Sequence, residues 1–93
     1  MEVKYSIHFH PDVIKKDIPK LDNIWKENIK KSIRSKLIAH PELYGFPLRQ
    51  DLKGLRKLRV GDYRVIYQVK EKKVLIIVIG HRSTVYKIIW RRI

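Results

Sequence analysis

Six consecutive apolar residues at positions 74–79 (V-L-I-I-V-I) leave this chain of 93 residues little choice of architecture. Successive strand side chains point to opposite faces, so a run apolar on both faces belongs inside a sheet that is covered on each side. Two further runs precede it. Leu55–Val60 alternates as L-R-K-L-R-V and residues 63–69 as Y-R-V-I-Y-Q-V, with Gly61-Asp62 between them as a two-residue hairpin turn. Glu71-Lys72 then turns the chain into 74–79. The three runs predict an antiparallel meander, with 74–79 lying centrally in the sheet.

The cover comes from the rest of the chain. Residues 3–9 alternate with Val3, Tyr5, Ile7 and Phe9 on one face, the pattern of a half-buried strand. His10-Pro11-Asp12 starts a short helix whose buried side is Val13, Ile14 and Ile18, and Pro19 stops it. Asp22 is placed to cap a helix over 23–39, with Trp25, Ile29, Ile33 and Leu37 in one apolar stripe and Lys26, Lys30, Lys31, Arg34 and Lys36 opposite. Residues 41–54, punctuated by Pro41, Gly45, Pro47 and Gly54, read as a loop. Ser83 or Thr84 caps a last helix, with Val85, Tyr86, Ile89, Trp90 and Ile93 as its apolar stripe. The order β-α-α-β-β-β-α predicts an α+β fold, one domain over 1–93, in which a helical hairpin packs on a mainly antiparallel sheet.

Charge narrows the partners. Lys and Arg number 22 against 9 acidic residues, a net charge of +13. The excess is skewed, since 1–54 carry 11 basic and 7 acidic residues and 55–93 carry 11 and 2. Such a surface attracts polyanions, nucleic acid first and an acidic protein second. There is no cysteine, which excludes disulfides and thiolate metal sites. The start, M-E-V-K, lacks the plan of a signal peptide, and no apolar run approaches a membrane span. The expectation is a cytoplasmic protein with no membrane partner.

Strand alternation decides which cations meet. With Leu58 and Val60 toward the core, Lys57 and Arg59 share the other face, about 6.6 Å apart along the strand, near the spacing of successive phosphates. The tight turn makes Arg64 their cross-strand neighbour, and a strand ending at Gly80 delivers His81 and Arg82 to the same end of the sheet. Cations converging with few carboxylates call for an anion between them. No paired carboxylates serve two-metal phosphoryl chemistry. His8, His10, His40 and His81 lack metal-ligand spacing, so no metal and no cofactor is expected. Metal-free cleavage of RNA fits what remains. The ribose 2′-hydroxyl is the nucleophile, Arg and Lys stabilise the phosphorane, and Tyr86 or His81 moves protons.

Two stretches, L-x-G-L-R-K-L-R-V-G-D-Y-R-V-I-Y-Q-V and V-x-I-x-x-I-G-H-R-x-x-V-Y, together with the I-P-K-L connection of the hairpin, resemble the RelE branch of the RelE/ParE toxin superfamily. The resemblance spans essentially the whole chain. It implies a microbial-RNase-like fold and a type II toxin that cuts mRNA in the ribosomal A site without a metal. It also implies a cognate RelB-like antitoxin, held in a toxin–antitoxin hetero-oligomer. Carried over residue by residue, the family roles are phosphate and substrate contacts for Lys57 and Arg59, phosphorane stabilisation for Arg64, leaving-group or transition-state contact for Arg82 and general base for Tyr86; the spacing from Arg82 to Tyr86 is shorter than in some members, which leaves His81 to share the acid–base work. The best-studied members carry a second lysine two residues before Lys57; this chain has Leu55 there, with Lys53 and Arg56 as the nearby substitutes. The alternatives are a ParE-like inhibitor of DNA gyrase without nuclease activity and a non-catalytic basic RNA-binding module. The cationic surface and apolar last helix also suit an acidic, helix-forming antitoxin segment that covers or displaces residues 85–93.

Overall fold

A computed structural model describes residues 4–48 and 54–93. The elements run β1 (Ser6–Phe9), a π-helix (Val13–Asp17), a 3-10 turn (Ile18–Lys20) and α1 (Asn23–Ser32), the last continued by a π-helical stretch (Ile33–Leu37). Then come α2 (Pro41–Tyr44), β2 (Phe46–Pro47), β3 (Leu55–Val60), β4 (Tyr63–Lys70), β5 (Lys73–His81) and α3 (Val85–Arg92). Asp22 caps α1 as its position predicts, its Oδ1 accepting the Trp25 amide at 3.0 Å.

The sheet order is β1-β5-β4-β3-β2. β3, β4 and β5 form the antiparallel meander, while β1 pairs parallel to β5, so the sheet is mixed. The apolar run 74–79 lies inside, flanked by β1 and β4, and β4 takes the middle place. Each face has its own core. The helical hairpin covers one with Val13, Leu21, Ile29, Ile33 and Leu37, packed on Leu58, Val60, Val65, Tyr67, Val74, Ile76 and Ile79. On the other, Val85 and Ile89 of α3 pack on Leu55, Ile66, Ile77 and Val78. A bulge joins the two patterns: Ile66 faces Val78 and Tyr67 faces Ile76, leaving Ile77 as the extra residue on β5.

Several expectations need correction. Residues 41–54 are not simply a loop, because Pro41 opens α2 and β2 pairs with β3. Ile14 and Trp90 are exposed, at 57% and 48%, and Ile93 is exposed too. The seam that α3 lays on the sheet is Val85, Ile88, Ile89 and Arg92, an i, i+3, i+4, i+7 set; it is turned away from the stripe that apolar residues alone suggest. Gly80 does not break β5, which continues through His81 with Gly80 paired to Arg64. Thr84 occupies the N-cap position of α3, but its hydroxyl bonds back to the His81 carbonyl rather than capping. Val3 and Lys53 lie outside the described residues.

Gly61 is dictated twice over. Its φ of +59° makes the tight β3–β4 turn, and a side chain there would run into the ring of Trp25. That ring packs on Tyr63 in a tilted pair, centroids 4.9 Å apart and planes at 45°, and anchors the helical hairpin to the turn end of the sheet.

Candidate nucleic-acid interface

Directly opposed residues of an antiparallel pair share a face. Lys57 stands opposite Ile66, Arg59 opposite Arg64, and Arg64 opposite Gly80. Ile66 belongs to the core beneath α3, so Lys57, Arg59 and Arg64 line the α3 side of the sheet, toward the Gly61-Asp62 turn. The first turn of α3 brings Tyr86 down to this row. Lys57 Nζ donates to the Tyr86 hydroxyl at 3.2 Å and lies 5.7 Å from the ring centroid. Residues 29 apart in the chain thus meet in a half-buried contact.

Arg64 is held in place by its own turn, since Nη1 donates to the Gly61 and Tyr63 carbonyls, each at 2.9 Å. A guanidinium carries five N–H donors in a rigid fork, so anchoring one nitrogen fixes the plane without spending the rest. Arg82 is tethered to the same turn through its amide, which donates to the Asp62 carbonyl at 2.8 Å. Its side chain is 63% exposed, with Nε 3.7 Å from an Asp62 carboxylate oxygen. An exposed pair at that distance is weak, and a phosphate competes readily for the guanidinium.

The other candidates are placed elsewhere. His81 stands opposite Tyr63 and meets its ring edge-on at 5.7 Å, on the helical-hairpin face, across the sheet from Tyr86. Its Nδ1 accepts the Ser83 amide at 3.1 Å and contacts Ser83 Oγ at 2.7 Å. Arg56 pairs in register with Tyr67, also on the hairpin side, and its Nη2 donates to the Glu42 and Gly45 carbonyls. It stitches α2 to the sheet instead of joining Lys57. Tyr67 completes that stitch by donating to the Pro41 carbonyl at 2.6 Å. Burial pushes the Tyr67 phenol above its ordinary range, with Arg56 pulling the other way.

Leu55, where a lysine is found in the best-studied relatives, is 6% exposed and belongs to the apolar layer under α3. Among the described residues, no three His, Cys, Asp or Glu side chains gather as a metal site. No helix among them is long and apolar enough to cross a membrane.

The model of the ParE toxin family of type II toxin–antitoxin systems matches residues 7–86. The chain belongs to this family. Its membership in the RelE/ParE superfamily extends to relatives on the RelE side. The toxin RelE of Mycobacterium tuberculosis is 45% identical over 53 residues, a match taking in 55% of each chain, so this chain aligns with about half the length of that relative. The toxin–antitoxin complex RelBE2 of M. tuberculosis matches with a TM-score of 0.78 at 28% identity, over 87% of this chain and 94% of that one. An E. coli RelE mutant bound to a RelB antitoxin peptide matches at 0.69 and 27%, over 97% and 98%. The archaeal RelE–RelB complex of Pyrococcus horikoshii matches at 0.66 and 27%, over 86% and 97%.

Proposed function

We propose that this toxin is a ribosome-dependent endoribonuclease that cuts mRNA in the A site and so inhibits translation. The observation that carries the reading is the Lys57–Tyr86 contact, set in a row with Arg59 and Arg64. In this scheme RNA supplies its own nucleophile. Tyr86 acts as its phenolate, whose charge the Lys57 ammonium offsets, and becomes the neutral phenol on taking the proton from a ribose 2′-hydroxyl. The 2′-oxygen bonds to phosphorus and the bond to the 5′-oxygen breaks. The 5′-oxygen leaves with that electron pair and takes a proton from water. Arg64 and Arg82 neutralise the phosphorane, and Lys57 and Arg59 hold the neighbouring backbone. The products are a 2′,3′-cyclic phosphate and a 5′-hydroxyl.

The setting follows from the same surface. A net charge of +13 directs the protein to RNA and to an acidic, RelB-like antitoxin with which it forms a cytoplasmic hetero-oligomer. The test is to mix the purified toxin with programmed ribosomes, map the mRNA by primer extension and identify the new ends chemically. Cuts in the A-site codon with cyclic phosphate ends are expected. Intact mRNA would overturn the reading, and inhibition of DNA gyrase in a parallel supercoiling assay would put a ParE-type activity in its place.

A further inference from the structure

The last turn of α3 is pinned from the other side of the sheet. Arg92 Nη1 lies 2.6 Å from Asp17 Oδ2 and Nη2 lies 2.8 Å from Oδ1, a two-pronged pair. Both side chains are buried, at 7% and 4% exposure. The pair also completes the edge of β5. β1 accompanies β5 only as far as the Phe9–Ile76 pair. Beyond that, the Ile79 amide donates to Asp17 Oδ2 at 2.9 Å, and Arg92 Nη1 donates to the Ile77 carbonyl at 3.0 Å. Asp12 adds a second carboxylate 3.9 Å from Arg92 Nε. Asp17 belongs to the helical layer and Arg92 to the opposite one, so the pair wraps the sheet edge and ties the two layers together.

An eight-residue helix does not hold itself together in water, so its contacts decide where α3 lies. Val85 and Ile89 are its fully buried apolar residues, Tyr86 and Ile88 pack at their margin, and Trp90 faces solvent. Its directional side-chain contacts gather at its two ends: Tyr86 on Lys57, and Arg92 on Asp17 and the Ile77 carbonyl. Six residues of helix, about 9 Å, connect them as a rigid arm. A buried ion pair is a poor source of net stability compared with apolar packing, but its geometry is strict. Its value here is orientation.

We propose that Arg92, acting through Asp17, is a positioning residue for Tyr86: by fixing the last turn of α3 it fixes where the hydroxyl in the first turn meets Lys57. The proposal rests on the nuclease reading for its catalytic consequence and on α3 itself for its structural one, and the two are separable.

Arg92→Met keeps the side-chain stem and removes the guanidinium, and Arg92→Lys restores one charged contact. In single-turnover cutting on programmed ribosomes, Arg92→Met should slow the reaction about 10- to 100-fold, the loss that a displacement of about 1 Å produces. Half-saturation should stay within about twofold, and Arg92→Lys should recover part of the rate. In a Tyr86→Phe background the same change should cost less than about twofold, because a residue acting through Tyr86 has nothing left to position. Hydrogen exchange of the full chain gives a readout independent of activity. The α3 amides should exchange about tenfold faster in Arg92→Met while the β3, β4 and β5 amides keep their protection. Should Arg92→Met not fold, Asp17→Asn, which retains an acceptor for the Ile79 amide, runs the same comparison. Unchanged α3 protection, or an undiminished loss in the Tyr86→Phe background, overturns the proposal. If the wild-type protein does not cut, the nuclease reading falls, and exchange alone decides whether Arg92 pins α3.

Discussion

Leu55→Lys puts back the residue that the best-studied relatives carry two positions before Lys57, and the structure predicts that this chain will not accept it. Leu55 is 6% exposed and packs with Ile66, Val78, Val85 and Ile89 under α3. Withdrawing a fully buried leucine side chain from an apolar layer forfeits about 1.5–3 kcal/mol. The incoming ammonium must either lose its hydration or push α3 aside to reach water, which adds at least the roughly 1–2 kcal/mol that a neutral polar group costs in protein interiors. A total of about 2.5–5 kcal/mol is a large share of the roughly 5–15 kcal/mol available to a small domain. It should lower the melting temperature by at least about 10 °C. Urea unfolding followed by tryptophan fluorescence measures the loss, with Leu55→Met as a volume control expected to cost under about 1.5 kcal/mol. A second readout follows from the sign of the charge effect. Burial depresses the folded-state pKa of the new lysine below its unfolded value, so the unfolded state binds more protons and the deficit should shrink as pH rises from 7 toward 10. Cutting should fall together with stability, because Tyr86 stands on the same helix. A Leu55→Lys protein as stable as the parent, with a pH-independent melt and faster cutting, would refute this account of α3.

Two further predictions are independent of the site. Gly61→Ala must adopt a φ of +59° and push against the Trp25 ring; it should cost more than about 1–2 kcal/mol, and a loss under about 0.5 kcal/mol in urea melts would contradict the packing described. Tyr67 should ionise later than an ordinary tyrosine, because burial raises its pKa. The unfolded phenol then loses its proton first, so the stability that Tyr67 contributes is fully present below about pH 10 and is lost as pH rises through the folded value. Ultraviolet titration should show one lagging phenol that Tyr67→Phe removes; five phenols titrating together would count against it.

The meander was legible because alternation and turn chemistry agree. Leu58 and Val60 in β3 and Tyr63, Val65, Tyr67 and Val69 in β4 alternate with polar or other-face residues, and Gly61-Asp62 admits a tight hairpin, so register and face follow, and with them the grouping of Lys57, Arg59 and Arg64. The parallel pairing of β1 was not legible, since partner choice across a long connection leaves no local mark. His81 shows how a face is misjudged. A strand that was expected to stop at Gly80 continues one residue further, and that residue turns His81 toward Tyr63 and away from Tyr86. The orientation of α3 was hidden by Arg92. Hydrophobicity gives a stripe through Trp90 and Ile93, whereas the buried seam spends its i+7 position on a cation. The available signal was Asp17, a carboxylate in an otherwise apolar and basic segment, which buries only because Arg92 comes to meet it.

The central claim is that Tyr86, assisted by Lys57, moves the proton that starts the cut. The direct measurement is single-turnover cleavage on programmed ribosomes by wild type, Tyr86→Phe, Lys57→Met and the double variant, each shown by thermal melting to be folded. Loss of a proton-transfer group costs about 10²–10⁴-fold. The account predicts a loss of that size for Tyr86→Phe, a substantial loss for Lys57→Met, and a double variant scarcely slower than Tyr86→Phe, since the pair acts as one unit. Tyr86→Phe cutting at the wild-type rate, or two losses that simply multiply, would contradict it.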